Sequence, residues 1–212
     1  MIALIDYGAG NLRSVHRALV AVGAQVELVT APERVHAARA VVLPGVGAFD
    51  DCACGLAARG LIDACKQFIE TGGLFLGICI GYQILFERSE EFNSTAPGFG
   101  YFKGKVVRFT ERPGLKIPQI GWNRVELVRP DCPLFEGIPD GSYFYFVHSF
   151  YPVPVDESIV AGRTAYGDVF ASAVWCRNVY AVQFHPEKSQ KVGLQLLRNF
   201  VRLAEAKSRG DQ

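Results

Sequence analysis

The sequence predicts an α/β protein built in three layers, with helices on both faces of a mostly parallel mixed sheet and a strand-rich C-terminal half. Two observations predict this class. Short apolar runs alternate with helical patterns up to Pro97, and strand-like runs follow one another after it. The 212 residues, half of them hydrophobic, suit one domain over residues 1–212 with a substantial core.

The first half of the chain contains four apolar strands, each followed by a helical pattern. The strands are IALIDY, QVELVT, RAVVLPG and GLFLGIC. The expected helices are one carrying Leu12, Val15, Leu19 and Val22 at helical spacing, a short one near Pro32–Ala38, a longer one over Cys52–Glu70 and one opening near Ile80–Gly81. This order is typical of a parallel sheet covered on both faces.

The second half contains six strand-like runs and a closing helix. The runs are KGKVVRF, WNRVELV, SYFYFVHSFYPV, SIVAGRTA, VFASAVWC and VYAVQF, with turn signals between them. GLQLLRNFVRLAEA follows as an amphipathic helix. We therefore expect the sheet to be mixed.

The composition argues against several function classes. A net charge of +1 without blocks of like charge gives no indication of a basic surface that binds nucleic acid. No segment has the pattern of a secretory signal or a membrane span. The six cysteines contain no Cys-x-x-Cys pair, which argues against a zinc or redox site and favours reduced thiols in the cytoplasm. Nothing implies a metal or organic cofactor.

The stretch GLFLGICIGYQILF carries the first catalytic signal. Cys79 stands between Gly77 and Gly81 where a buried strand gives way to a helix. This is the spacing of a nucleophile elbow, in which flanking glycines avoid clashes with a neighbouring strand or helix. A helix N-terminus below the sulfur favours the thiolate, and the amide of Ile80 is free to donate to an oxyanion. On this stretch alone, a small core residue at a strand end is an equal alternative.

The stretch VYAVQFHPEKS favours the catalytic interpretation. Its strand ends at His185, and Pro186 biases His185 towards an extended conformation. Glu187 lies two residues later, on the same side of an extended chain, where its carboxylate can orient the imidazole. His185 is therefore the candidate base for Cys79. A strand-end histidine beside a solvated acid is the alternative.

The other three histidines are weaker candidates for the base. His16 and His36 lie in helical, surface contexts and suggest no function. His148, in FVHSF, also ends a strand and competes for the role. It has no acid two residues later, so it ranks second to His185.

Two loops with glycines follow strands in the first half. In VVLPGVGAF, the loop Pro44–Gly47 exposes backbone amides, although an ordinary strand-to-helix turn has the same pattern. In DYGAGN, Gly-x-Gly is a weak dinucleotide signal. The third glycine and a clear acid at the end of the second strand are both missing.

Together and in this order, these elements resemble the class I glutamine amidotransferase family. The family's cysteine triad comes from a Gly-x-Cys-x-Gly-x-Gln turn and a later His-Pro-Glu. PGVGAF, GWN, PLFEGIPDGSYFYFVHSFYPV and QFHPEKS are similar to the glutaminase subunits of imidazole glycerol phosphate synthases within that family. The similarity covers nearly the whole chain and implies the family's fold.

The resemblance implies a role for individual residues. Cys79 is the implied nucleophile, His185 the general base and acid, and Glu187 its orienting partner. The residues implied to hold glutamine are Gln83, Gly47, Ser149 and Phe150. The implied oxyanion hole joins the amide of Ile80 to one from the loop of Gly45, Val46 and Gly47.

The implied reaction is hydrolysis of the glutamine side-chain amide through a γ-glutamyl thioester. The ammonia is implied to pass through a channel to a cyclase subunit, a (β/α)8 barrel that forms a heterodimer with this chain and makes imidazole glycerol phosphate for histidine biosynthesis. These 212 residues contain no such barrel, so we expect the cyclase to be a separate chain. The positions implied to face it are Asn11, Trp122 and Tyr145, although core packing explains the two aromatic residues equally well.

Three positions depart from the usual pattern. Tyr82 stands where methionine or histidine is usual, and Phe150 where tyrosine is usual, which affects only the shape of the pocket.

The third departure is Val46, which separates two glycines that are adjacent in most relatives. A β-branched residue resists positive φ, yet each peptide beside Val46 adjoins a glycine and can flip. We hypothesise that the resting loop points a carbonyl into the oxyanion site, and that docking of the cyclase with its nucleotide substrate reverses it.

Three other functions stay open on the sequence alone. The chain could be another class I amidotransferase subunit that feeds a different synthase. It could be a cysteine hydrolase without glutamine specificity, against which Gln83 and the His-Pro-Glu spacing argue. It could also be a pseudo-enzyme that regulates a partner, against which the intact Cys79, His185 and Glu187 argue.

Overall fold

The computed structural model describes residues 1–210, with side chains up to residue 206, and this part of the chain forms twelve strands and six α-helices. The strands are β1 (Ile2–Ile5), β2 (Val26–Val29), β3 (Ala40–Gly45), β4 (Leu74–Cys79), β5 (Arg88–Ser89), β6 (Gly104–Arg108), β7 (Gln119–Leu127), β8 (Ser142–His148), β9 (Phe150–Pro154), β10 (Val160–Tyr166), β11 (Asp168–Cys176) and β12 (Val179–Val182). The helices are α1 (Leu12–Ala21), α2 (Pro32–His36), α3 (Phe49–Ala57), α4 (Leu61–Glu70), α5 (Ile80–Gln83) and α6 (Gln190–Gly210). None of the helices within residues 1–210 has both the length and the apolar character of a membrane span.

Nine strands form one mixed sheet in the order β2-β1-β3-β4-β12-β11-β10-β7-β8. The first five of these run parallel to one another, and each of the other four is antiparallel to its neighbours. A smaller sheet contains β5, β6 and β9. The predicted α/β class and mixed sheet are confirmed.

Helices cover both faces of the parallel half of the sheet. The crossover from β1 to β2 and the crossover from β3 to β4 run in opposite directions along the strand order. Since such crossovers are right-handed, α1 lies on one face, and α3 and α4 lie on the other. The last helix, α6, packs against α1, and α2 packs against α4, which completes the two outer layers.

Burial along the strands follows from these layers. Every residue of β1, β3 and β4 is buried, as expected for strands covered on both faces. Along β7 and β8, buried residues alternate with more exposed ones, so one face of this strand pair is open to solvent.

Two expectations about individual elements were wrong. The predicted helix over Cys52–Glu70 is two helices, α3 and α4, because Gly60 between them adopts φ +66° and ends the helical run. The run SYFYFVHSFYPV is two strands, β8 and β9, which belong to different sheets. The break between these strands falls at Ser149, one of the predicted glutamine-binding residues.

The antiparallel half is held by an aromatic cluster, which gives a test of the core. Phe146 is fully buried, and its ring lies 5.6 Å from that of Phe184 and 6.0 Å from that of Phe170. We expect Phe146→Ala to lower the free energy of unfolding by about 3–5 kcal/mol, because it leaves a cavity in the core. Urea denaturation followed by fluorescence measures this loss.

A matched control for the core substitution is Phe92→Ala. The Phe92 side chain is 83% exposed. Its removal should change the free energy of unfolding by no more than about 0.5 kcal/mol. Equal losses for the two variants would contradict the described packing of Phe146.

Candidate active site

Cys79 is the last residue of β4 and stands in a strained turn into α5. Its φ is +57° and its ψ is −110°, a conformation that residues other than glycine rarely adopt. A Cβ atom at Gly81 would lie 1.8 Å from the carbonyl oxygen of Leu43, and one at Gly77 would lie 2.4 Å from that of Gly81. The two glycines therefore let the turn close tightly against β3, as their spacing predicts.

Three chain segments meet beside Cys79 at the carboxyl edge of the parallel strands. In the strand register, Cys79 pairs with Gly45 at the end of β3, and Ile78 pairs with Val182 at the end of β12. The loop after β3 and the segment that begins with Gln183 are therefore neighbours of the cysteine on its two sides. Ligands of open α/β sheets bind at this edge.

A cavity of about 380 Å³ opens above the cysteine. Eight residues predicted from the sequence line it, namely Val46, Gly47, Cys79, Ile80, Gln83, Ser149, Phe150 and His185. Two other predicted residues lie behind the walls. Gly45 packs against Ile80, and the carboxylate of Glu187 lies behind His185.

His185 and Glu187 form a buried pair. The Nδ1 atom of His185 lies 2.8 Å from Oε1 of Glu187. Because a carboxylate only accepts, Nδ1 carries a hydrogen, and the pair fixes the tautomer of the imidazole. Nε2 of His185 is buried and has no hydrogen-bond partner among the described residues, so it is free for chemistry in the cavity.

The charges around His185 favour its protonated form. Burial lowers the pKa of His185, but the Cys79 thiolate and the Glu187 carboxylate outweigh it and raise the pKa above its ordinary value. The coupling to Cys79 is electrostatic in this structure, since Nε2 makes no hydrogen bond of normal geometry within the described residues. These neighbouring groups therefore favour a positive charge on His185.

His148, the second candidate base, is not available for that role. Nδ1 lies 2.8 Å from the carbonyl oxygen of Phe150, and Nε2 lies 3.1 Å from Oε1 of Gln119. Burial lowers the pKa of His148 to about 4, so the imidazole stays neutral at physiological pH. The carbonyl oxygen of Phe150 only accepts, so Nδ1 carries the one hydrogen of the neutral ring, and Nε2 can bond to Gln119 only when that amide presents its NH2 end. Neither ring nitrogen is therefore free to act as the base.

Two polar side chains of the site, those of Glu91 and Gln183, were not predicted from the sequence. Glu91 lines the cavity and accepts a hydrogen bond from the backbone N–H of Phe49 at 2.8 Å, while burial raises its pKa. Nε2 of Gln183 lies 3.7 Å from Sγ of Cys79. Gln183 lies two residues before His185, so the alternation that selected Glu187 also points to it. Glu91 lies in a loop without periodicity, and no local signal marks it.

The predicted partner-facing residues lie at or near the surface. Trp122 is 46% exposed, so the core-packing alternative is wrong for this residue. Tyr145 is half-buried, with its ring 6.1 Å from that of Trp122. Asn11 is also half-buried and precedes α1 without a capping hydrogen bond from its side chain.

Comparisons with known proteins identify relatives over nearly the whole chain. The family model "Glutamine amidotransferase class-I" matches residues 3–204. "Imidazole glycerol phosphate synthase subunit HisH" of Thermosynechococcus vestitus is 51% identical over 205 residues, 96% of this chain and 97% of that protein. The protein of that name from Herpetosiphon aurantiacus is 50% identical over 210 residues, 99% of this chain and 98% of that protein. The solved structure of PurLQS from Thermotoga maritima matches the fold with a TM-score of 0.75 at 21% identity, over 95% of this chain and 97% of that one.

The electrostatic coupling between Cys79 and His185 is directly testable. We expect Cys79→Ala to lower the pKa of His185, because the thiolate is the largest of the influences that raise it. An NMR titration of the imidazole signals measures this, with His185→Gln to assign the resonance. Cys52→Ala removes another buried thiol and should leave the pKa of His185 unchanged.

The raised pKa of His185 also fixes the sign of a pH effect on stability. A raised folded-state pKa contributes stability that is fully present below the unfolded value of 6.5 and is lost as the pH rises through about 10. The stability advantage of the wild type over Cys79→Ala should therefore shrink as the pH rises towards 10, where a free cysteine is also ionised and the proton held by His185 alone sets the pH dependence. An advantage that grew in this range would contradict the raised pKa of His185.

Proposed function

The chain belongs to the class I glutamine amidotransferase family, and we propose that it hydrolyses the side-chain amide of glutamine and supplies the ammonia to a cyclase subunit that makes imidazole glycerol phosphate in histidine biosynthesis. The observation that carries this proposal is the buried His185–Glu187 pair facing Cys79 on a cavity at the carboxyl edge of the sheet. The names of the relatives support the assignment to imidazole glycerol phosphate synthase. Residues 1–212 act as one glutaminase domain, and we place it in the cytoplasm, where its six free thiols stay reduced.

The reaction uses the three residues in two stages. The Cys79 thiolate attacks the amide carbon, and a tetrahedral intermediate forms with its negative charge on the former carbonyl oxygen. Protonated His185 gives its Nε2 proton to the leaving nitrogen, the C–N bond breaks, and ammonia leaves a γ-glutamyl thioester. His185 then takes a proton from water, the hydroxide attacks the thioester, and the C–S bond breaks to release glutamate.

The cavity supplies polar groups for the rest of the substrate. Oε1 of Gln83 is buried and has no partner among the described residues, so it can accept an N–H of bound glutamine. Glu91 places a carboxylate on the wall, which suits the α-ammonium group. The backbone at Ser149 and Phe150 completes the wall next to Gln83, whose amide donates to the carbonyl oxygen of Phe150. Pairing with the substrate ammonium would offset the burial that raises the pKa of Glu91.

The oxyanion hole would join the amide of Ile80 to one from the loop after β3. Gly45 anchors this loop, since a Cβ atom there would lie 2.7 Å from that of Ile80. Gly47 adopts φ +93°, whereas Val46 is not among the residues with positive φ. The peptide between them can flip because a glycine accepts either sign of φ. We propose that partner docking reverses this loop from a resting state that points a carbonyl into the site.

The exposed face of β7 and β8 is the proposed surface for the cyclase, a (β/α)8 barrel. Ile120, Trp122 and Tyr143 are each about half exposed or more on this strand pair. Val147 pairs with Ile120 across the strands and also lines the cavity above Cys79. A partner that covers this face would therefore reach the mouth of the cavity, which is where ammonia must leave. Tyr145 belongs to the same face, and Asn11 follows β1 at the carboxyl edge of the parallel strands.

The deciding experiment for this function is the release of glutamate from glutamine by the chain alone, then with an imidazole glycerol phosphate cyclase and its nucleotide substrate. We expect a low rate alone and a large increase in the complex, with both rates abolished in Cys79→Ala.

Equal activity with a different synthase would favour another amidotransferase branch. Hydrolysis of unrelated amides at a similar rate would favour an unspecific hydrolase. Full biological function of Cys79→Ala would favour a pseudo-enzyme.

The loop hypothesis makes a separate prediction for the isolated chain. Val46→Gly removes the β-branched side chain and should raise the unstimulated rate. One oxyanion donor is worth roughly 100- to 1,000-fold in rate, which sets the upper limit of the gain. Steady-state glutamate release without the cyclase measures it.

The control for this prediction is Val155→Gly. Val155 is 73% exposed and lies away from the cavity lining. Its replacement should leave the unstimulated rate at the wild-type level. If Val46→Gly also kept the wild-type unstimulated rate, Val46 would not be the residue that limits the activity of the isolated chain.

A further inference from the structure

Gln183 is a fully buried side chain beside the nucleophile, and the reaction described above does not use it. It directly follows β12, whose last residue pairs with Ile78, so Gln183 is the neighbour of Cys79 across the sheet. Nε2 of Gln183 lies 3.7 Å from Sγ of Cys79, within hydrogen-bond distance for a sulfur acceptor. Oε1 of the same side chain lies 3.1 Å from Nε2 of Gln83.

One backbone carbonyl fixes the orientation of both amides. The carbonyl oxygen of Phe150 can only accept, and it lies 3.0 Å from the Gln83 amide, so the NH2 end of Gln83 must face it. The same NH2 group has a second hydrogen, which it donates to Oε1 of Gln183. The NH2 end of Gln183 is thereby left for the sulfur. With the Gln183 amide reversed, two NH2 groups would face each other, and its oxygen would face the sulfur.

We propose that Gln183 is a catalytic residue that donates a hydrogen bond to the Cys79 thiolate, with Gln83 and the Phe150 carbonyl oxygen as its positioning groups. The proposal rests on the role of Cys79 as the nucleophile. A donor aimed at the sulfur stabilises the thiolate over the thiol, and burial strengthens this effect because no water competes. The same bond stabilises the sulfur when it leaves during hydrolysis of the thioester.

The test replaces the donor and measures the sulfur directly. Gln183→Leu keeps a similar shape but cannot donate. One hydrogen bond to a charged group is worth roughly 10- to 100-fold in the equilibrium between thiolate and thiol. We therefore expect the pH midpoint for alkylation of Cys79 by iodoacetamide to rise by about 1–2 pH units. Mass spectrometry of the peptide that contains Cys79 resolves this thiol from the other five.

Kinetics with the cyclase present separate this role from a structural one. The kcat for glutamate release should fall roughly 10- to 100-fold in Gln183→Leu, with the KM for glutamine within about 3-fold of the wild type, since Gln83 and Glu91 remain. Gln119→Leu is the matched control, because it removes another buried amide that contacts His148 but not the sulfur. The alkylation midpoint of Gln119→Leu should match that of the wild type.

A folded Gln183→Leu protein with the wild-type alkylation midpoint would overturn the proposal. Where this variant does not fold, NMR of the wild type decides. The side-chain NH2 signals of Gln183 should shift with the ionisation of Cys79 and lose that shift in Cys79→Ala, and signals that do not respond to pH would also overturn it. Alkylation and NMR need no glutamine turnover, so their outcome is independent of whether the chain proves to be a glutaminase.

Discussion

The site depends on one close approach between backbones, that of α5 against β3. The Cα of Gly81 is so near the carbonyl oxygen of Leu43 that a single methyl group there would overlap it. Only with this contact can the chain turn sharply enough after β4 to hold Cys79 at φ +57°. Backbone strain of this kind costs on the order of 1–3 kcal/mol and persists where the surrounding packing determines it. Here the fully buried β3 and β4 supply that packing.

The buried polar groups around Cys79 form two sets, one placed to stabilise positive charge and the other placed to stabilise negative charge. The Glu187 carboxylate stabilises positive charge on His185, while the amide of Gln183 is aimed at negative charge on Cys79. Unpaired buried polar atoms are costly, yet Oε1 of Gln83 and Nε2 of His185 have no partner among the described residues. Both residues line the cavity, so their unpaired atoms are suited to substrate and to proton transfer. Hydrogen bonds within the protein therefore hold the site in place, while the two unpaired atoms are left for the substrate.

The parts of the fold and of the site that follow from a local sequence pattern could be predicted, and those that depend on distant contacts could not. The parallel strands were readable because strands covered on both faces become continuous apolar runs. The cysteine turn and the His185–Glu187 pair were readable because glycine spacing and two-residue alternation are local. The break at Gly60 could not be predicted because α3 and α4 are both amphipathic and a single glycine does not by itself exclude a helix. Gln183 was overlooked although it shares that alternation, and Glu91 could not be found because its place depends on a loop that folds back onto Phe49.

The strand pair that carries the exposed aromatic residues also holds His185, the histidine of the proposed triad, in place. The backbone N–H of His185 donates to the carbonyl oxygen of Tyr145 at 2.9 Å, and the N–H of Tyr145 donates to Oγ of Ser189 at 3.0 Å. Ser189 closes the ring by donating to the carbonyl oxygen of His185 at 2.6 Å. On the outer side, the ring of Tyr145 packs against that of Trp122.

The inner side of the same strands reaches the substrate wall. Gln119 of β7 pairs with His148 of β8, and both His148 and Gln83 bond to the carbonyl oxygen of Phe150. Displacement of β8 would therefore act on the imidazole of the proposed triad and on the amide that orients Gln183. Three hydrogen bonds, through Phe150 and Gln83, lead from His148 of β8 to Gln183. A single hydrogen bond leads from Tyr145 of β8 to His185. The fold therefore needs no separate element to link the proposed docking surface to the proposed triad.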